Sequence, residues 1–568
     1  METVLEKVQK PGRTLALRPQ RWVRCALITG TGLLSALIAL WGLTGSSLDS
    51  HECLVSVTAR EMVQSGNYVV PTMNGVPRLK KPPLSYWLVA GISRLTGQCN
   101  EWAARLPSAA AGFLSAIAIL YFVSRWTSLR TGLLSTCVWV TSVAYVEWSH
   151  NARAEMLMTV FCTVCLLAFF DIQRYQSRRR RRAVVALFWV SFAGANLAKG
   201  PIPFPVVFLP ILAYALLRKK KRLLGRLHPL AGLLLMLPIV LPWPIMIGVH
   251  LNWDLTLWRN EVFSRFGGQY DSRGRPFYYY LPNMFKYAAP WVVVLPIALL
   301  SPFYRVWGRR RPVMLYLWLW FAVGLLFFTL SEGKRPHYIL PQMPAAAILI
   351  GIVLDDLVFV RQAFSERFAA RIMALHGIAL AVAPLVSVVY ITMNRQGFPR
   401  AMILANVDIV LFVALLAYLL RIQSRRAQWA VPCFVATLAV IELFGISVHN
   451  AAFDGYRDTR EFALAIRERV PPNETLYAYG DLSNVFVHYY GRSVPVLDTS
   501  EAVRSHYLQN RWVIVLRADL PEECRQTCRI VYAQEQRPAR RHDIYGYLLH
   551  VQTRGGASDA PPPQGADL

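Results

Sequence analysis

"RWVRCALITGTGLLSALIALWGLTGSSLDSHECLV", residues 21–55, decides the fold class. Its middle is an apolar run about as long as the ~20 residues a helix needs to cross a bilayer core. Basic residues precede the run, and Asp49, His51 and Glu52 follow it, two carboxylates and an imidazole within four positions. Lipid offers no partner to an unpaired backbone N–H or C=O, so a segment of this kind crosses as a helix. It is too long, and too plainly followed by further apolar runs, to be only a cleaved leader, and it reads as a retained anchor.

The rest of the chain repeats the pattern. Of 568 residues 55% are hydrophobic and 17% charged, and the mean hydropathy is positive, far from a soluble average. About thirteen spans are expected, beginning near residues 24, 108, 132, 155, 183, 201, 228, 288, 312, 337, 372, 404 and 430. The net charge of +28 is a topology signal rather than a nucleic-acid footprint, because lysine and arginine are retained on the cytoplasmic side. The basic runs alternate with the spans accordingly: the leader with Lys7, Lys10, Arg13, Arg18, Arg21 and Arg24, "QRYQSRRRRR" at 173–182, "RKKKRLLGR" at 218–226, "YRVWGRRR" at 304–311 and "RIQSRR" at 421–426. The N-terminal segment 1–23 is then cytoplasmic. The chain beyond residue 450 emerges on the opposite face, the periplasm of a bacterial inner membrane.

Sorting the remaining charges by face gathers Asp49, Glu52, Lys81, Arg153, Glu155, Lys199, Arg265, Glu332 and Lys334 at the non-cytoplasmic span ends and their loops, where they could share one site. Ionisable groups near a span are costly and are functional candidates by default. A transporter or flippase would instead spread polar groups through the middle of several helices. Two long loops, 44–107 and 250–287, lie on this face. In the first, "TAREMVQSG" predicts an amphipathic helix with Val57, Met62 and Val63 on its apolar side, ended by Gly66. "RLKKPPLSYWLVAGISRLTG" predicts a helix lying on the membrane, with Tyr86 and Trp87 at the interface.

The ordered set "SHECLVSVTAREMVQSGNYVVPTMNG" (50–75), "KPPLSYW" (81–87), "ARLPSA" (104–109), "ARAEMLMT" (152–159), "LAKGP" (197–201), "PFYYYLP" (276–282), "PW" (290–291) and "KRPHYILP" (334–341) resembles the bacterial branch of the protein O-mannosyltransferase superfamily, which includes transferases of 4-amino-4-deoxy-L-arabinose to lipid A. The resemblance covers roughly residues 25–350 and rests on order and spacing rather than on any single motif. It implies a polytopic α-helical membrane protein of GT-C type, residues 24–449, with interfacial helices and a small periplasmic α/β domain. It also implies transfer of a sugar, with inversion, from a polyprenyl-phosphate carrier to lipid A, another glycolipid or a protein. No cofactor is implied beyond that donor, and a divalent metal stays open. The family's Asp-Glu pair after the first span is here His51-Glu52, and a tyrosine that helps to hold the carrier phosphate aligns with Val55, so the base and the acceptor can differ.

The chemistry of the residues is compatible with this. A sugar phosphodiester departs as a phosphate monoester whose second pKa is ~6, so the leaving group needs positive charge more than a proton. Lys81 and Arg265 suit that task, with Lys199 and Lys334 as further donor-phosphate candidates. An acceptor hydroxyl needs a base: Glu52 is the first choice, with His51 and Asp49 in reserve. Glu155 would orient the acceptor or face the positive charge of the reacting centre, and Arg153 and Tyr338 are substrate-binding candidates. Plainer roles stand beside these. Glu52 suits a helix N-terminus electrostatically, Glu155 could pair with Arg153, and Lys81 could meet lipid headgroups.

From about residue 450 helix-like "DTREFALAIRERV" and "LSNVFVHYY" alternate with strand-like "TLYAYG", "RWVIVLRA" and "IYGYLLHVQ", predicting an α/β domain over 450–553 that assists rather than catalyses. A disordered tail, 554–568, follows. Cys53 with Cys99, or Cys524 with Cys528, could oxidise in a periplasm.

Overall fold

The computed structural model describes residues 21–174, 177–219, 222–252, 275–376, 378–379, 446, 454, 456–479, 482–497, 512–516, 528–534 and 546–551. The leader, the tail, Arg265 and the greater part of the last three expected spans lie outside them. The chain opens with α1 (Arg21–Leu40) and α2 (Ser50–Ser65), a two-stranded hairpin of β1 (Thr72–Met73) and β2 (Val76–Pro77), and α3 (Leu84–Thr96). Then come α4 (Glu101–Trp126), α5 (Leu129–Val140), α6 (Val143–Ser149), α7 (Ala154–Ile172), α8 (Arg178–Lys199), α9 (Pro203–Leu217), α10 (Arg222–Gly225), α11 (Pro229–Val240) and α12 (Pro242–His250). Helices at Tyr280–Ala288, Val294–Leu300, Arg311–Leu330 and Met343–Asp355 complete the described bundle.

Five described helices are long and apolar enough to cross a membrane, and seven if each of two bent pairs is one span. The first ten expected spans fall on helices of this bundle, with two refinements. α5 and α6 meet at 59°, because the Ser142 side chain accepts from Tyr145 N and starts a new helix. α11 and α12 meet at 40°, where Pro242 in the first turn brings no N–H. α3, with 13 residues, is about 20 Å long and too short to cross.

The bundle is built around α7. In its apolar window 89% of residues are buried inside the protein, against 17% in peripheral α1. Apolar side chains gain nothing by leaving lipid for protein, so close backbone approach must supply the packing. Gly351 provides one such approach: a Cβ there would lie 2.3 Å from Ser135 Oγ. This brings the Met343–Asp355 helix against α5.

α2 is specified at both ends. Asp49 caps it and accepts from His51 N and Glu52 N, while the Glu52 side chain accepts from Asp49 N, a reciprocal capping box. Gly66, at φ 70°, closes it in the left-handed region that a side chain would disfavour. Val57 and Met62 are buried, as their spacing predicts.

Beyond residue 454 a five-stranded mixed sheet runs in the order β4 (Val496–Leu497), β3 (Leu476–Tyr479), β5 (Trp512–Leu516), β7 (Gly546–Val551), β6 (Cys528–Gln534). β3 is parallel to β4 and β5, and β7 is antiparallel to β5 and β6. The helices Arg457–Arg469 and Asn484–Tyr490 pack beside it through Phe462, Ala463, Phe486 and Tyr490. This unit grips α2 directly. Arg60 donates to His488 O at 2.8 Å and Val487 O at 3.1 Å, the last carbonyls of the Asn484–Tyr490 helix, where a cation is favoured. Asp454 accepts from Ser47 N and Oγ, and Tyr489 Oη accepts from Leu48 N at 2.9 Å. Cys53 and Cys99 are free thiols, contrary to the pairing the sequence allowed, because Cys99 Sγ lies 3.2 Å from Ser56 Oγ instead.

Candidate active site

Four pieces of chain meet at the first turn of α7: the start of α2, the Lys81 loop before α3, the end of α8, and the 3-10 turn Pro336–Gln342. The centre is Glu155, which is buried. Its Oε1 lies 2.9 Å from Lys199 Nζ and 3.6 Å from His337 Nε2, while Oε2 is buried with no hydrogen-bond partner. Lys199 is the last residue of α8, favourably placed for a cation, and its ammonium stands 5.7 Å from the Tyr338 ring centroid. The His337 ring packs on Trp148 at 5.2 Å, and Trp148 Nε1 donates to Tyr287 Oη at 3.2 Å.

Arg153, the residue before α7, turns to the other side and donates through Nη2 to Asp49 Oδ2. Its guanidinium also stands 5.9 Å from the Trp148 ring. Arg153 thus joins α2 to α7, and the Glu155–Arg153 pairing considered from sequence is not formed; Lys199 takes that place. Lys81 completes the ring of cations. Burial lowers its ammonium to about 8, with Glu155 opposing and Lys199, Arg78 and Arg153 reinforcing the shift. His51 is exposed on the first turn of α2. Desolvation and then Arg153 lower its pKa below 6.5, Asp49 pulls it up, and Lys81 and Arg335 add to the lowering. At neutral pH His51 is therefore a free imidazole able to accept a proton.

Glu52 faces away from this cluster, into protein. Arg105 meets it side-on, Nε to Oε1 and Nη2 to Oε2, both at 2.9 Å, and Ala152 N and Asp49 N donate at 2.8 and 2.9 Å. Four donors fill both oxygens of Glu52, a residue 2% exposed, and tie the turn before α2 to Arg105 and Ala152. Arg105 is equally committed: its remaining N–H groups reach Leu43 O, Ser46 O and Ser47 O, which uses all five donors of the guanidinium.

The structure thus brings together Asp49, His51, Lys81, Arg153, Glu155, Lys199 and Tyr338. It places Glu52 one layer behind them. Lys334 is buried in the turn before His337.

A family model described as dolichyl-phosphate-mannose-protein mannosyltransferase matches residues 80–246, which contain Lys81, Glu155 and Lys199. An undecaprenyl phosphate-α-4-amino-4-deoxy-L-arabinose arabinosyl transferase of Pseudomonas fluorescens is 27% identical over 454 residues, 77% of this chain and 74% of that one. The corresponding enzyme of Aeromonas hydrophila is 31% identical over 306 residues, 53% of this chain and 54% of that one. Among solved structures, ArnT from Cupriavidus metallidurans bound to undecaprenyl phosphate superimposes with a TM-score of 0.76 at 21% identity, covering 93% of this chain and 98% of that chain. The chain has the GT-C fold and resembles the aminoarabinose-transferring branch of the protein O-mannosyltransferase superfamily.

Within that GT-C frame, sequence reasoning overlooked Arg105, Arg335 and His337. Each stood inside a quoted motif, "ARLPSA" or "KRPHYILP". The signal for Arg105 was available: an arginine in the first turns of an otherwise apolar membrane helix needs a partner. No local signal distinguishes His337 from its neighbour Lys334, since only the turn of the chain decides which one faces Glu155.

Proposed function

We propose that this protein is an integral membrane glycosyltransferase that moves a sugar from a polyprenyl-phosphate donor to an acceptor at the face where Asp49, Lys81 and Glu155 meet. In a bacterial inner membrane this face is the periplasmic one. The observation that carries the reading is the arrangement of Lys199, Lys81 and His337 about a buried carboxylate with one unpartnered oxygen, at the end of a membrane-buried helix. The phosphate of a lipid-borne donor and the polar group of an acceptor can meet at such an end, where the hydrocarbon gives way to water.

The acceptor oxygen attacks the anomeric carbon of the sugar, the carbon–oxygen bond to the phosphate breaks, and the polyprenyl phosphate leaves with the bonding electron pair. A single displacement inverts the anomeric centre. Lys81 and Lys199 offset the charge that grows on the departing phosphate, and Arg265 of the 250–287 loop is a further cation for that task. Glu155 holds Lys199 through Oε1 and offers Oε2 to the acceptor or to the oxocarbenium-like carbon. His51 takes the proton of a hydroxyl acceptor, with Asp49 and Arg153 fixing the turn that carries it. Glu52 positions that turn through Arg105 and is not the base. An acceptor that is itself a phosphate, as on lipid A, is already deprotonated and requires no base.

The relatives named above are transferases of 4-amino-4-deoxy-L-arabinose carried on undecaprenyl phosphate. We take that sugar and lipid A as the first donor and acceptor to try. Purified protein is incubated with synthetic undecaprenyl-phosphate sugars and lipid A, beside Glu155→Gln. Transfer by the wild type and its loss in the variant are expected. Failure of every polyprenyl-phosphate donor would overturn the assignment.

A further inference from the structure

About 28 Å from Glu155 along the 19 residues of α7, at its other end, a second polar feature is built into the bundle. A cavity of ≈ 930 Å³ opens between the ends of α7 and α9 and the short α10. Five cations line it, Arg174, Arg218, Lys219, Arg222 and Arg226, with no acidic residue, and Phe170 and Tyr214 lie alongside. The positive-inside rule accounts for basic residues on this face but not for their convergence on one concavity. Arg226 is fixed there by carbonyl groups rather than carboxylates, Nη1 donating to Gln173 O at 3.2 Å and to Gln173 Oε1 at 3.1 Å. Arg174 is held likewise by Arg125 O. Among the described residues none of the five is paired with an acid.

One further observation selects the ligand. Leu209, Leu212 and Leu216 of α9 follow a three-then-four spacing, share one face, and are 37%, 42% and 54% exposed. Leu216 also lines the cavity. An apolar strip for hydrocarbon therefore runs directly into a pocket for anionic charge.

We propose that this cavity binds the headgroup of an anionic phospholipid of the adjacent leaflet, with an acyl chain lying along Leu209, Leu212 and Leu216. The bound phosphate relieves the mutual repulsion of the five cations. It also ties α10 and the start of the following loop to the end of α7.

The test is native mass spectrometry of the full-length protein in detergent, titrated with dioleoyl phosphatidylglycerol, dioleoyl phosphatidylcholine or inorganic phosphate. Retention of phosphatidylglycerol over phosphatidylcholine is expected, with little competition from inorganic phosphate at matched concentration. Each headgroup-facing cation is worth about fivefold in binding. Arg218→Gln/Arg222→Gln should therefore weaken phosphatidylglycerol retention ~25-fold, whereas Arg178→Gln/Arg179→Gln, equal in charge but outside the cavity, should leave it unchanged. Should the double variant fail to fold, the lipid selectivity of the wild type and its loss at high salt decide the matter. Equal retention of both lipids, equal loss in both double variants, or displacement by inorganic phosphate at matched concentration would each overturn the proposal.

Discussion

Glu52→Gln separates a positioning carboxylate from a catalytic one. The substitution keeps the shape of the side chain but removes the charge from a pair that is nearly solvent-free, with Arg105 and Glu52 side chains 5% and 3% exposed. Glutamine has one acceptor oxygen for four donors that approach both oxygens, so its amide nitrogen must face either Arg105 Nε and Ala152 N or Arg105 Nη2 and Asp49 N. Leaving one member of a buried ion pair uncompensated costs ~3–5 kcal/mol. Arg105→Gln should cost a similar amount, and Glu52→Gln/Arg105→Gln less than the sum of the two, with a coupling of at least ~2 kcal/mol, since the last charge to go no longer strands a partner. The assay is unfolding of detergent-solubilised protein by added SDS, with transfer activity measured on the fraction that remains folded. Folded Glu52→Gln should keep measurable turnover. Unchanged stability with turnover abolished would refute the reasoning and return Glu52 to the chemistry, and additive single costs would refute the coupling.

Glu155→Gln should lower turnover by ~10²–10⁴, the range for loss of a positioned acid–base or charge-stabilising group, and Lys199→Gln should raise the donor KM; steady-state transfer kinetics check both. Lys81 has a value lowered from 10.5 to about 8, which a bound phosphate must raise again. Donor binding then takes up a proton above pH ~8 and should weaken by up to tenfold per pH unit there, measured as Kd against pH, while Lys81→Arg flattens the curve. In the proposed reaction His51 acts as the base in its neutral form, and burial and Arg153 lower its pKa from the usual 6.5. Transfer to a hydroxyl acceptor should fall only as pH drops below 6.5, and His51→Asn should remove that acid limb in a pH–rate profile. Tyr489→Phe deprives Leu48 N of its acceptor and Glu101 of a donor, and should cost ~1–3 kcal/mol, read as a lower Tm.

The sequence by itself determined the elements whose cause is local. Apolar runs of bilayer length must be helices because lipid leaves the backbone no alternative partner, and the first ten expected spans lie on helices for that reason. Asp49, three residues ahead of Glu52, and Gly66 specify α2 wherever it sits. Charge sorted by face was also legible, because the membrane forces ionisable groups to helix ends, and this collected Asp49, Lys81, Arg153, Glu155 and Lys199, together with Glu52, Arg265, Glu332 and Lys334, before any contact was known. What the sequence could not assign was pairing. Glu52 and Glu155 read alike, an acid in the first turn of a helix, and only the approach of Arg105 from α4 and of Lys199 and His337 around α7 made one a brace and left the other with a free oxygen. Those partners lie 53, 44 and 182 positions away, and distances of a few ångströms between them are set by helix packing, which neither periodicity nor spacing along the chain records.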